Sequence, residues 1–245
     1  VVLAVTGKTF YIPLPDQHAH DDAFDHAHAH AENTISHTAW TENCEWFVEL
    51  EMPIKGHDVC FAAHVTLLEN FQPAKSGTFN VEAHSGSNTT ETDADAPQRP
   101  GIFSPIIRFP AAGEWTLQLV FEDAGLKDSI DWNITVLDEE EQPEPEEERE
   151  GLISFWKEQQ WKVPFGTAWV EKRDLAGGKS GLFVPASSIV ENQTGKVVFV
   201  QVDGESFERR QVETGSSEGG KVESLSGLEG DERVVAKGVE HVKGT

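Results

Sequence analysis

Five of the chain's ten histidines fall within one short run, Gln17-His18-Ala-His20-Asp21-Asp22-Ala-Phe-Asp25-His26-Ala-His28-Ala-His30. In an extended chain, side chains alternate with a period of two, so each His-Ala-His unit turns both imidazoles to one side. Two such units and an aspartate can supply three or four ligands to one ion. The candidate ligands are His18, His20, Asp25, His26, His28 and His30. Neutral imidazole suits Zn(II), Cu(II), Ni(II) and Co(II). The softer Cu(I) and Ag(I) prefer sulfur, and the chain has a single methionine, Met52. Binding should weaken as pH falls through about 6.5, where free imidazoles protonate. A segment without preformed geometry must be ordered by its ion, which costs affinity and suits capture and release. The ion is then cargo, and no cofactor is required. The competing reading is a solvated polar tail.

The remaining histidines are isolated in sequence. His64 alternates with Ala62 and Thr66 in an expected strand, so it faces outward or is a satisfied core group. His57 falls in a turn, and His37, His84 and His241 have no second ligand nearby.

Net charge and composition narrow the partners. At −24, the chain is repelled by nucleic-acid phosphates and by anionic headgroups. The hydrophobic fraction, 38%, is low enough to imply solvated segments beside the folded ones. No run approaches the ~20 apolar residues of a spanning helix. Val1-Val-Leu-Ala-Val5 fits either the end of an upstream signal or anchor segment or a short strand. Phosphate loops, Gly-x-Ser-x-Gly, His-Glu-x-x-His and Cys-x-x-Cys are all lacking, and the carboxylates cluster where nothing would hold a catalytic geometry, so no enzyme is expected. Cys44 and Cys60 are compatible with a disulfide, two free thiols or a metal pair. Alternation places Cys44 with Trp46, Val48 and Leu50, and puts Cys60 opposite Val59, Phe61, Ala63, Val65 and Leu67. The intervening turn, Pro53–Gly56, nevertheless brings the two segments together.

The elements that must position these groups are strands. Residues 1–40 are expected to be a flexible histidine-rich tail. Residues 41–137 predict a β-sandwich with strands at 45–52, 58–68, 77–84, 102–109, 114–121 and 131–137, and core aromatics Trp46, Phe61, Phe103, Trp115 and Trp132. Residues 138–150, thirteen positions dominated by glutamate with two prolines, repel one another and form a linker. Residues 151–245 predict a second β domain: a short helix over 151–160, a strand over 161–170, then strands at 182–190, 196–203, 206–214, 220–225 and 232–237.

Several of these stretches resemble periplasmic adaptors, or membrane fusion proteins, of heavy-metal efflux pumps of the resistance-nodulation-division class. Gly151-Leu-Ile-Ser-Phe-Trp-Lys-Glu-Gln-Gln-Trp-Lys-Val-Pro-Phe-Gly-Thr-Ala-Trp-Val170 is similar to the segment that enters the adaptor body. Val184–Val190, Val197–Val202, Phe207–Gly215 and Leu225–Val235 are similar to the family's membrane-proximal domain. Phe61–Pro73 and Pro100–Pro105 resemble a small immunoglobulin-like domain that precedes the body in some heavy-metal adaptors. The resemblance implies a mainly β chain: an N-terminal immunoglobulin-like sandwich, an acidic linker and a C-terminal membrane-proximal β domain. It further implies a periplasmic, inner-membrane-associated protein docked on its transporter.

Between the two family blocks, adaptors carry a barrel, a lipoyl-like domain and usually a helical hairpin. Here, only Glu171-Lys-Arg-Asp-Leu175 and a Gly/Ser-type stretch precede Leu182. The middle is therefore expected to be missing near 175–182, as in a shortened form. An outer-membrane channel would be a partner, and a homo-oligomer the assembly, only in a form that has those domains. Two alternatives remain: a free periplasmic metal-binding or buffering protein, and an adaptor for an organic substrate whose histidines are incidental.

Overall fold

The computed structural model describes residues 9–11, 34–138, 151–175, 178, 180–192 and 195–243. Val1–Val5, the histidine run and the acidic segment after Asp138 lie outside the described residues. The described chain is mainly β and divides into two units, Val1–Glu148 and Arg149–Thr245.

The first unit contains β1 (Thr9–Tyr11), β2 (Thr34–Trp40), β3 (Cys44–Glu51), β4 (Asp58–Leu67), β5 (Gln72–Pro73), β6 (Thr78–Ser85), β7 (Asn88–Ala94), β8 (Ile102–Phe103), β9 (Ile106–Arg108), β10 (Gly113–Asp123) and β11 (Leu126–Val136). One sheet runs β1-β2-β3-β4, with β5, β8 and β9 paired in turn along the far edge of β4. The other runs β11-β10-β6-β7. The inward residues of both sheets form one core that includes Trp46, Val48, Leu50, Phe61, Phe79, Phe103, Trp115, Phe121 and Trp132. All five expected core aromatics are at most 2% exposed. Phe79 and Phe103, from opposite sheets, stack with centroids 5.6 Å apart. β10 shows the cause in sequence: Trp115, Leu117, Leu119 and Phe121 point inward, while Glu114, Thr116 and Gln118 point out.

Four sequence expectations need correction in this unit. The tail does not extend to residue 40: Thr34–Trp40 is a strand paired to β3 over its whole length, from Thr34↔Glu51 to Trp40↔Glu45. Its apolar signal is weak because His37 occupies an inward position between Ile35 and Ala39. The segment expected as one strand over 102–109 is two, interrupted at Ser104-Pro105, because proline has no N–H for a continuous ladder. β7 was not expected. Asn88-Thr-Thr-Glu-Thr-Asp-Ala94 has almost no apolar alternation, and its backbone pairing with β6 holds it in place. The last hairpin starts earlier than expected, since Ala124 and Gly125 both adopt positive φ and make a two-residue turn that keeps β10 and β11 in register from Asp123↔Leu126.

The second unit contains β12 (Leu152–Ser154), α1 (Lys157–Gln160), β13 (Gly166–Trp169), β14 (Glu171–Asp174), β15 (Ser180–Pro185), β16 (Val190–Asn192), β17 (Gly195–Gln201), β18 (Ser206–Glu218), β19 (Lys221–Ser226), β20 (Arg233–Lys237) and α2 (Val239–Lys243). The described strands form one antiparallel sheet ordered β13-β20-β17-β18-β19-β15-β14, with β12 on β18 and β16 on β17. β18 reaches from β17 to β19, and register shifts at Glu213/Thr214 and Thr214/Ser217 bend it between them. Both faces are buried. Phe155, Phe165, Phe199, Phe207 and Val235 pack with Val239 and Val242 of α2 on one side; Val170, Val184, Val198, Val200, Val212 and Val234 pack on the other. The unbroken apolar run Val197-Val-Phe-Val200 reflects this two-sided burial.

The expected helix over 151–160 is confined to Lys157–Gln160, preceded by β12. The expected strand over 161–170 begins only at Gly166.

Candidate functional site

The six candidate ligands, His18, His20, Asp25, His26, His28 and His30, lie outside the described residues. The structure does describe the backbone on either side of them. β1 and β2 pair antiparallel, with Tyr11 opposite Ile35 and Thr9 opposite His37. The strands that flank residues 12–33 in sequence are therefore sheet neighbours, about 5 Å apart. The signal lay in Thr9-Phe-Tyr11 and in the polar alternation of Thr34, Ser36 and Thr38, all too short or too polar to stand out.

His37 is buried in the sandwich, not beside the run. Its ring stacks on Trp132 with centroids 5.3 Å apart and planes 12° apart. Its Nδ1 has no hydrogen-bond partner among the described residues. Burial lowers its pKa to about 4. His64 is also buried, with its ring 5.4 Å from that of Phe47. His57 is exposed in the β3–β4 turn, where its N–H donates to the Ile54 carbonyl at 3.2 Å. His241 lies on α2, 3.6 Å from Glu240. His84 is exposed on β6, with Nε2 3.1 Å from Glu82 Oε1 and Nδ1 3.3 Å from the Thr89 hydroxyl.

The cysteines are free thiols, which decides among the three sequence alternatives. In the β3–β4 register Cys44 lies opposite Leu67, at the end remote from the turn, whereas Cys60 adjoins Phe61, which pairs with Leu50 near the turn. They are separated by most of the hairpin's length, roughly 20 Å at ~3.4 Å per residue, far beyond the reach of a disulfide or a shared ion. Burial, followed by the Asp128 carboxylate, pushes the Cys44 thiol up. Burial and then Glu51, with a smaller effect from Asp58, push Cys60 up. Asp128 also ties the sheets together: Thr41 donates to its Oδ2 at 2.5 Å and the Ser129 N–H donates to its Oδ1 at 2.8 Å. The same Thr41 hydroxyl accepts from the Cys44 N–H at 2.9 Å, closing the β2–β3 turn.

In the second unit, the segment resembling the adaptor entry is pinned to the β17–β18 turn. The Phe155 N–H donates to the Glu205 carbonyl at 2.7 Å, and the Lys157 N–H donates to Glu205 Oε1 at 2.6 Å. Gln160 Nε2 donates to the carbonyls of Phe155 and Gly204 at 2.6 and 2.8 Å. Asp203 Oδ1 shapes the turn by accepting from the Glu205 and Ser206 N–H groups, each at 2.7 Å. Burial raises its pKa against the opposing effect of those bonds. At the place of the expected missing middle, β14 and β15 form a hairpin paired from Glu171↔Phe183 to Asp174↔Ser180. Glu171 accepts from Lys221 on β19 and from Arg173, and these contacts hold its pKa down. Among the described residues no helix is long and apolar enough to cross a membrane.

Comparison with known proteins bears on this unit. Residues 182–243, about a quarter of the chain, match the family described as the CzcB C-terminal circularly permuted SH3-like domain. That span runs from β15 through α2. No curated protein matches the chain. The crystal structure of ZneB from Cupriavidus metallidurans is similar at 15% identity over 73% of this chain and 40% of that one, with a TM-score of 0.23, which does not establish a shared fold. The C-terminal unit thus carries a domain similar to the C-terminal SH3-like domain of CzcB, built from β15–β20 and α2.

Proposed function

We propose that this chain is the periplasmic adaptor subunit of a tripartite heavy-metal efflux transporter, and that residues 18–30 collect divalent ions and present them to the inner-membrane pump of the resistance-nodulation-division class. The observation that carries the adaptor reading is the match of residues 182–243 to the CzcB C-terminal domain. It falls on the same stretch that resembles efflux adaptors in sequence. Membrane-proximal docking rests on that resemblance. The cargo reading rests on ligand chemistry: five imidazoles and Asp25 within thirteen residues favour borderline divalent ions. The β1–β2 pairing is compatible with it, because the strands that flank the run in sequence lie side by side in one sheet.

Calorimetric titration of Zn(II), Cu(II), Ni(II) and Co(II) tests the cargo. The full chain is compared with a variant in which His18, His20, His26, His28 and His30 are alanine. Micromolar binding that the variant loses is expected, and equal affinity in both proteins overturns the assignment. Co-purification with the pump, and a fall in metal export when the five-alanine variant replaces the natural chain in cells, tests the adaptor role. A chain that binds metal but never associates with the transporter is a buffer.

A further inference from the structure

The outward face of β7-β6-β10-β11 carries mostly acidic and neutral polar side chains. Cross-strand rows run Thr89–His84–Thr116–Asn133, then Glu91–Glu82–Gln118–Asp131, then Asp93–Asn80–Val120–Ser129. Lys127 lies on this face but is already paired with Glu122. Glu82 and Glu91 stand directly opposite each other on neighbouring strands, an arrangement of like charges that costs stability unless a cation sits between them. Among the described residues Glu91 forms no ion pair.

We propose that His84, Glu82 and Glu91 form a second divalent-cation site on this sheet, independent of the 18–30 run. His84 Nε2 and Glu82 Oε1 are 3.1 Å apart. Two ligand atoms at that separation, each about 2.05 Å from an ion such as zinc, subtend about 98° at it. This lies between octahedral and tetrahedral angles, so the pair already spans one ion. The ion takes the place of the direct contact between the two atoms. With the ion on Nε2, the neutral ring's single proton sits on His84 Nδ1, which donates to the Thr89 hydroxyl 3.3 Å away, the kind of outer partner that fixes a ligand ring's orientation. Glu91 comes from the opposed position, its Cβ about 5 Å from that of Glu82, and reaches the ion by rotating an exposed side chain. Water completes the shell. All three residues stand on the paired strands β6 and β7, so their backbone is already ordered. One nitrogen and two carboxylates suit Zn(II), Ni(II) or Co(II).

The test uses the full chain with the five histidines of the 18–30 run changed to alanine, so its result does not depend on the proposed function. Zinc is titrated to millimolar concentration while histidine ring nitrogens are followed by NMR, with His84 assigned from His84→Gln. The expected result is one equivalent of zinc that shifts both His84 ring nitrogens. Binding should be lost in His84→Gln, weakened at least tenfold in Glu82→Gln and Glu91→Gln, and unchanged in His57→Gln. Unmoved His84 resonances overturn the proposal, as does unaltered affinity in Glu91→Gln with an unchanged circular dichroism spectrum. If the natural chain binds zinc no better than the five-alanine background, the proposed function loses its cargo site while this one stands.

Discussion

His37 is the side chain whose surroundings differ most from what its sequence context suggests. It is 7% exposed, stacked on Trp132, and titrates near 4 where a free imidazole titrates near 6.5. Its folded pKa lies below the unfolded one, so the unfolded chain binds more protons between those values. Its contribution is present above about pH 6.5 and is lost as pH falls toward 4, by at most about 3 kcal/mol. Denaturant unfolding at pH 7 and pH 4.5 should show that loss, and His37→Phe should flatten it if the ring stack accepts a phenyl. Asp128 offers a second residue-scale test. Asp128→Ala leaves the Thr41 hydroxyl and the Ser129 N–H without their carboxylate, at an expected cost of about 1–3 kcal/mol read from the unfolding midpoint. For the cysteines, native protein should yield two thiols only after unfolding, Cys44 being fully buried; non-reducing mass spectrometry that finds a bridged species would contradict the register of β3 and β4.

At the scale of elements, the proposed ion capture at residues 18–30 would be coupled to the pairing of β1 with β2. If residues 18–30 bind an ion in the paired state only, ion at a hundred times its Kd stabilises that state by about 2.7 kcal/mol. Amide exchange of Ile35 and His37 should then slow on adding zinc and should not respond in the five-alanine variant. In the second unit, β18 depends on Gly227, whose φ is +94° and where any Cβ would collide with the Gln211 carbonyl. Gly227→Ala should lower the unit's melting temperature by several degrees. α2 closes one of the two cores with Val242, which is fully buried. Val242→Asp should cost that unit more than 3 kcal/mol by burying an unpaired charge.

At the scale of the whole molecule, a net charge of −24 on 245 residues makes the folded state repel itself. Raising salt from 20 to 300 mM shortens the Debye length to below about 10 Å, and the melting temperature should rise over that range at pH 7.5. A fall would mean that ion pairs such as Arg210 with Glu232 and Lys221 with Glu171 outweigh the repulsion.

The β class, the core aromatics and the positions of most long strands could be read from residues 41–137 and 182–237, because period-two alternation and turn residues are local signals. The candidate ligands at 18–30 were proposed from ligand type and spacing, which are properties of adjacent residues, and they lie outside the described residues. Other features depended on pairing between distant segments. Thr34–Trp40 carries a histidine where the core expects an apolar residue, so only its ladder with β3 identifies it as a strand. β7 is an edge of hydroxyls and carboxylates that its ladder with β6 orders. The separation of Cys44 from Cys60 follows from register, which stays open until both strands are packed. Likewise, His84, Glu82 and Glu91 share one face only because a two-residue turn folds β7 back on β6. Chemistry encoded in neighbouring residues was visible in the chain; chemistry assembled across strands was decided by the fold.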